Sequence, residues 1–162
     1  MTNERKGYTL VEILVVISIV GLLFGVGFVS YREFSRRQAL AGAARQVGGD
    51  LRLAQELALA GKKPAVCGAN ALDGYQFVVT PPNSYRVRAV CNLTTAIEKT
   101  VVVSSGVSIS GLVPDLTPSN TILFKTLSGG TNIPAGTTVI TLTQDVTADT
   151  RRITVTAGGE IR

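Results

Sequence analysis

The sequence contains no histidine and no tryptophan, and it has only two cysteines and one methionine. Histidine is the commonest general base and a frequent metal ligand, so its absence excludes a Ser-His-Asp triad and a Cys-His pair. Two cysteines alone do not make a tetrahedral zinc site. We therefore expect a protein that is not an enzyme and that binds no cofactor and no metal.

Acidic residues are the scarcer charged class, with 11 Asp and Glu against 16 Lys and Arg and a formal net charge of +5. This mild excess favours an acidic partner only weakly, because a solvated surface explains it as well. The length of 162 residues suits one compact domain and an anchor.

One long apolar run lies near the N-terminus. Residues 8–31 contain a single charged side chain, Glu12, and a helix needs about 20 mostly apolar residues to cross a bilayer core. A secretory signal peptide is the alternative, but the small-residue pattern Ala58-Leu59-Ala60 lies too far beyond the run to be its cleavage site. The run therefore predicts a retained transmembrane helix.

The helical pattern continues beyond the apolar run. Residues 32–61 contain no proline, and apolar residues recur there at spacings of four and three, at Leu40, Ala44, Val47, Leu51, Ala54 and Ala58. This stripe is typical of one face of an amphipathic helix. We predict one helix from about Thr9 to about Ala60, ended by Gly61 and Pro64.

Residues 62–162 have the composition of a β-rich domain. Val, Thr, Ile and Tyr alternate with polar residues between turn signals such as Gly158-Gly159. The predicted strands are Ala65–Cys67, Tyr75–Thr80, Tyr85–Cys91, Lys99–Val103, Thr121–Lys125, Thr138–Thr143 and Arg152–Thr156.

The segment Lys6-Gly7-Tyr8-Thr9-Leu10-Val11-Glu12 resembles the type IV prepilin cleavage site, with Tyr in place of the usual Phe. The resemblance implies that residues 1–7 are a leader, that a prepilin peptidase cuts between Gly7 and Tyr8, and that Tyr8 is then N-methylated. It also implies that Glu12 meets the Tyr8 amine of a neighbouring subunit during assembly. Alternatively, the Glu12 carboxylate extends to the membrane interface, since a charge in hydrocarbon is costly.

The same resemblance implies an α+β, pilin-like fold, in which a long N-terminal helix packs on a C-terminal antiparallel β-sheet domain. It implies a single-pass inner-membrane protein with a cytoplasmic leader and an exported domain that enters a filament. The implied partners are the prepilin peptidase, other pilin or pseudopilin subunits, an inner-membrane assembly platform and membrane lipid.

Residues 120–162 resemble minor pilins and pseudopilins of the GspH/FimT type, on the strand Arg152-Ile153-Thr154-Val155, the Gly158-Gly159 turn and a basic end at Arg162. The resemblance implies a structural subunit of a type IV pilus or a type II secretion pseudopilus. The alternative is a DNA-binding minor pilin that acts in DNA uptake. In that case Arg151, Arg152 and Arg162 would bind DNA and should lie together, because the glycine turn would fold the tail back beside the strand.

Cys67 and Cys91 are the two cysteines. An exported domain lies in an oxidising compartment, so a disulfide between them is expected. Two buried free thiols are the alternative, because both cysteines lie at the ends of apolar segments.

Overall fold

A computed structural model describes residues 7–92, 94–116, 118–127 and 129–162, without the side chains of residues 24 and 26–29. Positions 1–6 of the predicted leader lie outside the described residues. The chain divides into two compact units, Met1–Arg36 and Arg37–Arg162.

One helix, α1, runs from Leu10 to Leu59, as the sequence predicts to within one residue at each end. Thr9 begins it, because its Oγ1 accepts a hydrogen bond of 3.2 Å from the Glu12 amide. Gly61 ends it at a φ of 59°, which a residue without a Cβ adopts at little cost. The Gly61 amide donates to Ala58 and the Lys62 amide to Leu57, so two of the last helical carbonyls are satisfied.

No helix among the described residues combines the length and the apolar content that crossing a membrane requires. The transmembrane segment proposed from the sequence for residues 8–31 stays a prediction.

Within the second unit, α1 buries one face against the β-rich domain. The stripe is confirmed at Leu40, Val47, Leu51, Ala54 and Ala58, which are at most 3% exposed. Ala44 is only partly buried, and its neighbour Ala43 is buried instead. Small side chains on this face let the helix approach the sheets closely.

In the described part of the chain, seven antiparallel strands form two sheets. The four-stranded sheet has the order β3-β2-β1-β5, and the three-stranded sheet has the order β4-β6-β7. The strands are β1 Gly74–Thr80, β2 Ser84–Cys91, β3 Thr94–Val102, β4 Val107–Ile109, β5 Thr121–Lys125, β6 Thr137–Gln144 and β7 Thr150–Thr156. The predicted α+β fold, a helix packed on an antiparallel β domain, is confirmed.

The sequence prediction is wrong at three places in this domain. Ala65–Cys67 is a short 3₁₀ helix, because the Cys67 and Gly68 amides bond to carbonyls three residues back, at Pro64 and Ala65. Strand β3 begins at Thr94, five residues before the predicted start, in a half-exposed edge segment that lacks a clear apolar alternation. The three-residue strand β4 is too short to leave a periodic signal.

A carboxylate joins the helix to the larger sheet. Asp50, only 6% exposed, is the one buried charged residue in the described part of the chain. Its Oδ2 accepts a hydrogen bond from the Tyr85 hydroxyl, and its Oδ1 accepts one from the Lys99 ammonium, both at 2.7 Å. Burial and the Asp50 carboxylate raise the pKa of Tyr85 far above its ordinary value, so this hydroxyl keeps the proton that it donates.

A disulfide joins Cys67, in the 3₁₀ helix, to Cys91 at the end of β2, with their Cα atoms 5.7 Å apart. It ties the segment that follows α1 to the four-stranded sheet. The pairing expected from the sequence is thus present in the structure.

We expect Tyr85→Phe to lower the free energy of unfolding by about 1.5–3 kcal/mol, because a buried carboxylate loses a hydrogen bond. Tyr75→Phe is the matched control, since Tyr75 is equally buried but donates to a neutral acceptor, the Lys62 carbonyl, at 2.7 Å. The control should cost about 1 kcal/mol. Denaturant unfolding measures both variants. An equal decrease in the free energy of unfolding would contradict the claim that the charged acceptor Asp50 makes the Tyr85 hydrogen bond the stronger one.

Replacing Cys67 and Cys91 together by serine should lower the free energy of unfolding by about 3 kcal/mol, because the covalent loop spans 24 positions. Non-reducing peptide mapping of the natural protein should recover the two cysteine peptides linked. Recovery of two freely alkylated thiols from the folded protein would contradict the pairing.

Candidate functional site

The predicted processing site lies just before α1. Gly7 and Tyr8 are both exposed, and Tyr8 is 78% accessible. Among the described residues other than its chain neighbours, no atom lies within 4 Å of the point where a Cβ on Gly7 would stand.

Glu12 lies in the first turn of α1 and is exposed. A carboxylate at a helix N-terminus is stabilised by the positive end of the helix dipole. Glu12 is four residues after Tyr8, which lies two residues before the start of α1. The first turn of α1 thus places an exposed carboxylate near the predicted processing site.

The apolar side chains that follow are exposed to a degree unusual for a protein in water. Large apolar residues between positions 10 and 23 are 42–81% accessible, namely Leu10, Val11, Ile13, Leu14, Val15, Val16, Ile17, Ile19, Val20, Leu22 and Leu23. A contiguous apolar surface of this kind marks contact with lipid or with another protein.

The C-terminal tail folds back beside β7, as the glycine turn predicts. The Arg162 amide and carbonyl each bond to Thr154 at 3.0 Å, and Ile161 pairs with Val155. Gly159 permits this turn at a φ of 91°. The tail therefore adds an isolated β-bridge beside β7, at the edge of the three-stranded sheet.

Two of the three predicted DNA-binding arginines come together. Arg152 and Arg162 line one groove, which they share with Arg45 and Arg52 of α1. Arg151 lines a separate pocket with Arg37 and Asp149. The two arginines therefore line different pockets, although they are consecutive in β7.

The helix arginines of this groove were not assigned to a site from the sequence. Arg45 and Arg52 are seven residues apart, a spacing that places two side chains on the same helix face. The spacing of Arg45 and Arg52 could thus have indicated a basic helix face, but the sequence did not show that this face of α1 lies against β7.

Glu160 modifies the charge of the groove. Its carboxylate accepts two hydrogen bonds from Arg162, at 2.8 Å from Nε and 3.1 Å from Nη2. This contact raises the pKa of Arg162 above its ordinary value. Both side chains are exposed, so the pair contributes little to fold stability.

The aromatic residues of the β domain do not line the groove. Tyr75, Phe77, Tyr85 and Phe124 are at most 2% exposed, and Phe77 stacks on Tyr85 with ring centroids 4.8 Å apart. They belong to the core. Within the described ranges, no three acidic or cysteine side chains are grouped so that they could hold a metal ion.

Comparison with known proteins shows which families the chain resembles. Residues 2–28 match the prokaryotic N-terminal methylation motif, and residues 43–159 match the type II transport protein GspH. The type IV major fimbrial protein FimA of Dichelobacter nodosus is 28% identical over 79 residues, which are 46% of this chain and 51% of that protein. A fimbrial protein of Pseudomonas aeruginosa is 30% identical over 71 residues, 44% of this chain and 46% of that protein.

The chain thus spans about half the length of the curated relatives it matches. No solved structure matches it. The GspH match nevertheless covers most of the chain, from residue 43 to residue 159, and includes the buried face of α1 from Ala43 onward and strands β1 to β7. The chain is a type IV prepilin-like protein and belongs to the family of the type II transport protein GspH.

Proposed function

We propose that this protein is a minor pilin or pseudopilin, a structural subunit of a type IV pilus or a type II secretion pseudopilus. The observation that carries the proposal is the prepilin motif at the start of α1, joined to a domain of the GspH family. The protein acts by assembly rather than by catalysis.

The proposed organisation has four parts. Residues 1–7 form the leader, residues 8–31 the membrane and filament-core helix, residues 32–61 its amphipathic continuation, and residues 62–162 the exported domain. The exposed apolar side chains of residues 10–23 support the second part, because they require lipid before assembly and other helices afterwards. The protein is then a single-pass inner-membrane protein with its leader in the cytoplasm.

Processing comes first in the proposed mechanism. A prepilin peptidase cleaves between Gly7 and Tyr8, and Tyr8 receives an N-methyl group. The exposure of both residues supports this step, because a peptidase must reach the bond from several sides. The new N-terminus is a positive amine at the end of an apolar helix.

Assembly uses that amine. In the proposed filament, Glu12 of one subunit meets the Tyr8 amine of a neighbour, with the inner-membrane assembly platform adding subunits. An isolated carboxylate in hydrocarbon is unfavourable by several kcal/mol. Pairing it with an opposite charge removes most of that penalty at one axial register only, so the pair would select the correct stagger between subunits.

DNA binding is the rival proposal for the exported domain. The clustering of Arg152 and Arg162 with two helix arginines favours it. The burial of the aromatic residues and the carboxylate of Glu160 beside Arg162 count against it, since single strands bind by stacking and through their phosphates. The structural subunit is therefore the better supported function.

We expect Gly7→Val to block processing, because a branched side chain next to the scissile bond would hinder its entry into the peptidase. Intact-mass analysis of membranes should show the uncut precursor. Gly21→Ala is the control, since a Cβ there also meets no atom within 4 Å and the site lies away from the cut. A mature N-terminus at any residue other than Tyr8 would contradict the assignment.

Glu12→Leu should be inserted and processed but should enter filaments poorly. The lost charge pair should lower incorporation by roughly tenfold, which needs only about 1.4 kcal/mol. Glu12→Asp keeps the charge and should recover part of the incorporation. Quantification of the subunit in sheared filaments measures both variants, and normal incorporation of Glu12→Leu would favour the membrane-interface role of this carboxylate.

A further inference from the structure

A groove of about 450 Å³ lies between α1 and the β7 edge with its returning tail. Four arginines line it, Arg45 and Arg52 from the helix and Arg152 and Arg162 from the sheet side. The helix and the tail are thus combined in one surface that neither element forms alone.

The positive charge of this groove is largely unbalanced. Across the described ranges, Arg45, Arg52 and Arg152 form no ion pair with a carboxylate, and only Arg162 is paired, with Glu160. Like charges around one concave surface repel one another and attract anions. An acidic group placed in the groove would relieve that repulsion.

The helix side of the groove includes two consecutive glycines, Gly48 and Gly49. Each glycine inside a helix costs about 1 kcal/mol relative to alanine. Among the described residues, and apart from the adjoining helix backbone, no atom lies within 4 Å of the Cβ position of either residue, so packing there does not require glycine. The bare helix surface leaves room for another backbone to approach closely.

The groove also has apolar walls. Ile153 is 6% exposed, and Ile161 is partly buried beside it. Such walls accept aliphatic side chains, whereas single-stranded nucleic acid would need the aromatic residues that are buried in the core. Among polyanions, a protein segment fits this combination of charge and apolar surface better than a nucleic acid.

We propose that this groove binds an extended acidic segment of another protein subunit, with its carboxylates on the four arginines and its aliphatic side chains on Ile153 and Ile161. The inference that the partner is a subunit rests on the proposed assembly function; the recognition chemistry does not. Glu160 already places a carboxylate on Arg162 with two hydrogen bonds, and it marks the position that a partner carboxylate would take.

The test uses the full-length protein in detergent micelles and a labelled peptide of about ten residues in which Glu and Val alternate. A Ser-Val peptide of the same length controls for apolar binding, empty micelles control for partitioning, and an oligothymidine controls for general attraction of polyanions. Fluorescence anisotropy should show saturable binding of the Glu-Val peptide. The Ser-Val peptide and the oligothymidine should bind much more weakly or not at all. Its affinity should fall as salt is raised, because the contacts are ionic.

Three variants locate the binding. Arg45→Gln with Arg152→Gln should weaken binding by roughly tenfold or more. Gly48→Ala with Gly49→Ala should weaken it at least about fivefold while raising the melting temperature, since alanine favours the helix. Arg151→Gln, which lies outside the groove, should leave binding unchanged.

No saturable binding of the Glu-Val peptide, or unchanged binding in either double variant, would overturn the proposal. Stronger binding of oligothymidine would overturn it in favour of nucleic acid. The assay does not depend on cleavage at Gly7 or on Glu12. Its failure would therefore leave the filament-assembly proposal standing, and failure of filament assembly would leave this result intact.

Discussion

The contact of Asp50 with Tyr85 and Lys99 fixes how α1 sits on the β domain. The apolar face of the helix consists largely of Ala, Val and Leu, which could pack at more than one axial position. A buried carboxylate has no such freedom, because it is satisfied only where the hydroxyl of β2 and the ammonium of β3 meet it at 2.7 Å. Moving the helix by one turn would leave a buried charge without its partners, at a cost of several kcal/mol.

Other features of the domain depend on that position. The register of α1 places Arg45, Gly48, Gly49 and Arg52 opposite β7 and the returning tail. It also places the end of α1 where Gln55 donates a hydrogen bond of 3.1 Å to the Gly159 carbonyl, beside the turn that returns the tail. The arginine groove is therefore a consequence of how the helix docks, as much as of the residues that line it.

Much of this architecture could be predicted from the sequence. The helix has an uninterrupted pattern, a cap at Thr9 and a stop at Gly61, so its two ends were predicted within one residue. Most strands carry a period-two pattern between turn residues. Cys67 and Cys91 were paired correctly because the prepilin motif implied export to an oxidising compartment.

What escaped prediction depends on contacts between distant segments. Ala65–Cys67 has strand-like residues, yet the turn geometry after Pro64 makes it a 3₁₀ helix. The burial of Asp50 and its two hydrogen bonds could not be predicted, because its partners Tyr85 and Lys99 are 35 and 49 residues away in the sequence. The neighbours that Arg151 and Arg152 meet depend on the packing of α1, since Arg151 shares its pocket with Arg37 and Arg152 shares its groove with Arg45.

In the proposed filament, other subunits of the same kind cover the exposed apolar surface of α1. Photocrosslinking from a probe at Val15, which is 48% exposed, tests this contact directly in intact cells that produce the assembly. We expect crosslinks to proteins that carry the same N-terminal motif, and their loss when assembly is blocked. Crosslinks to lipid alone, under conditions in which filaments form, would contradict it.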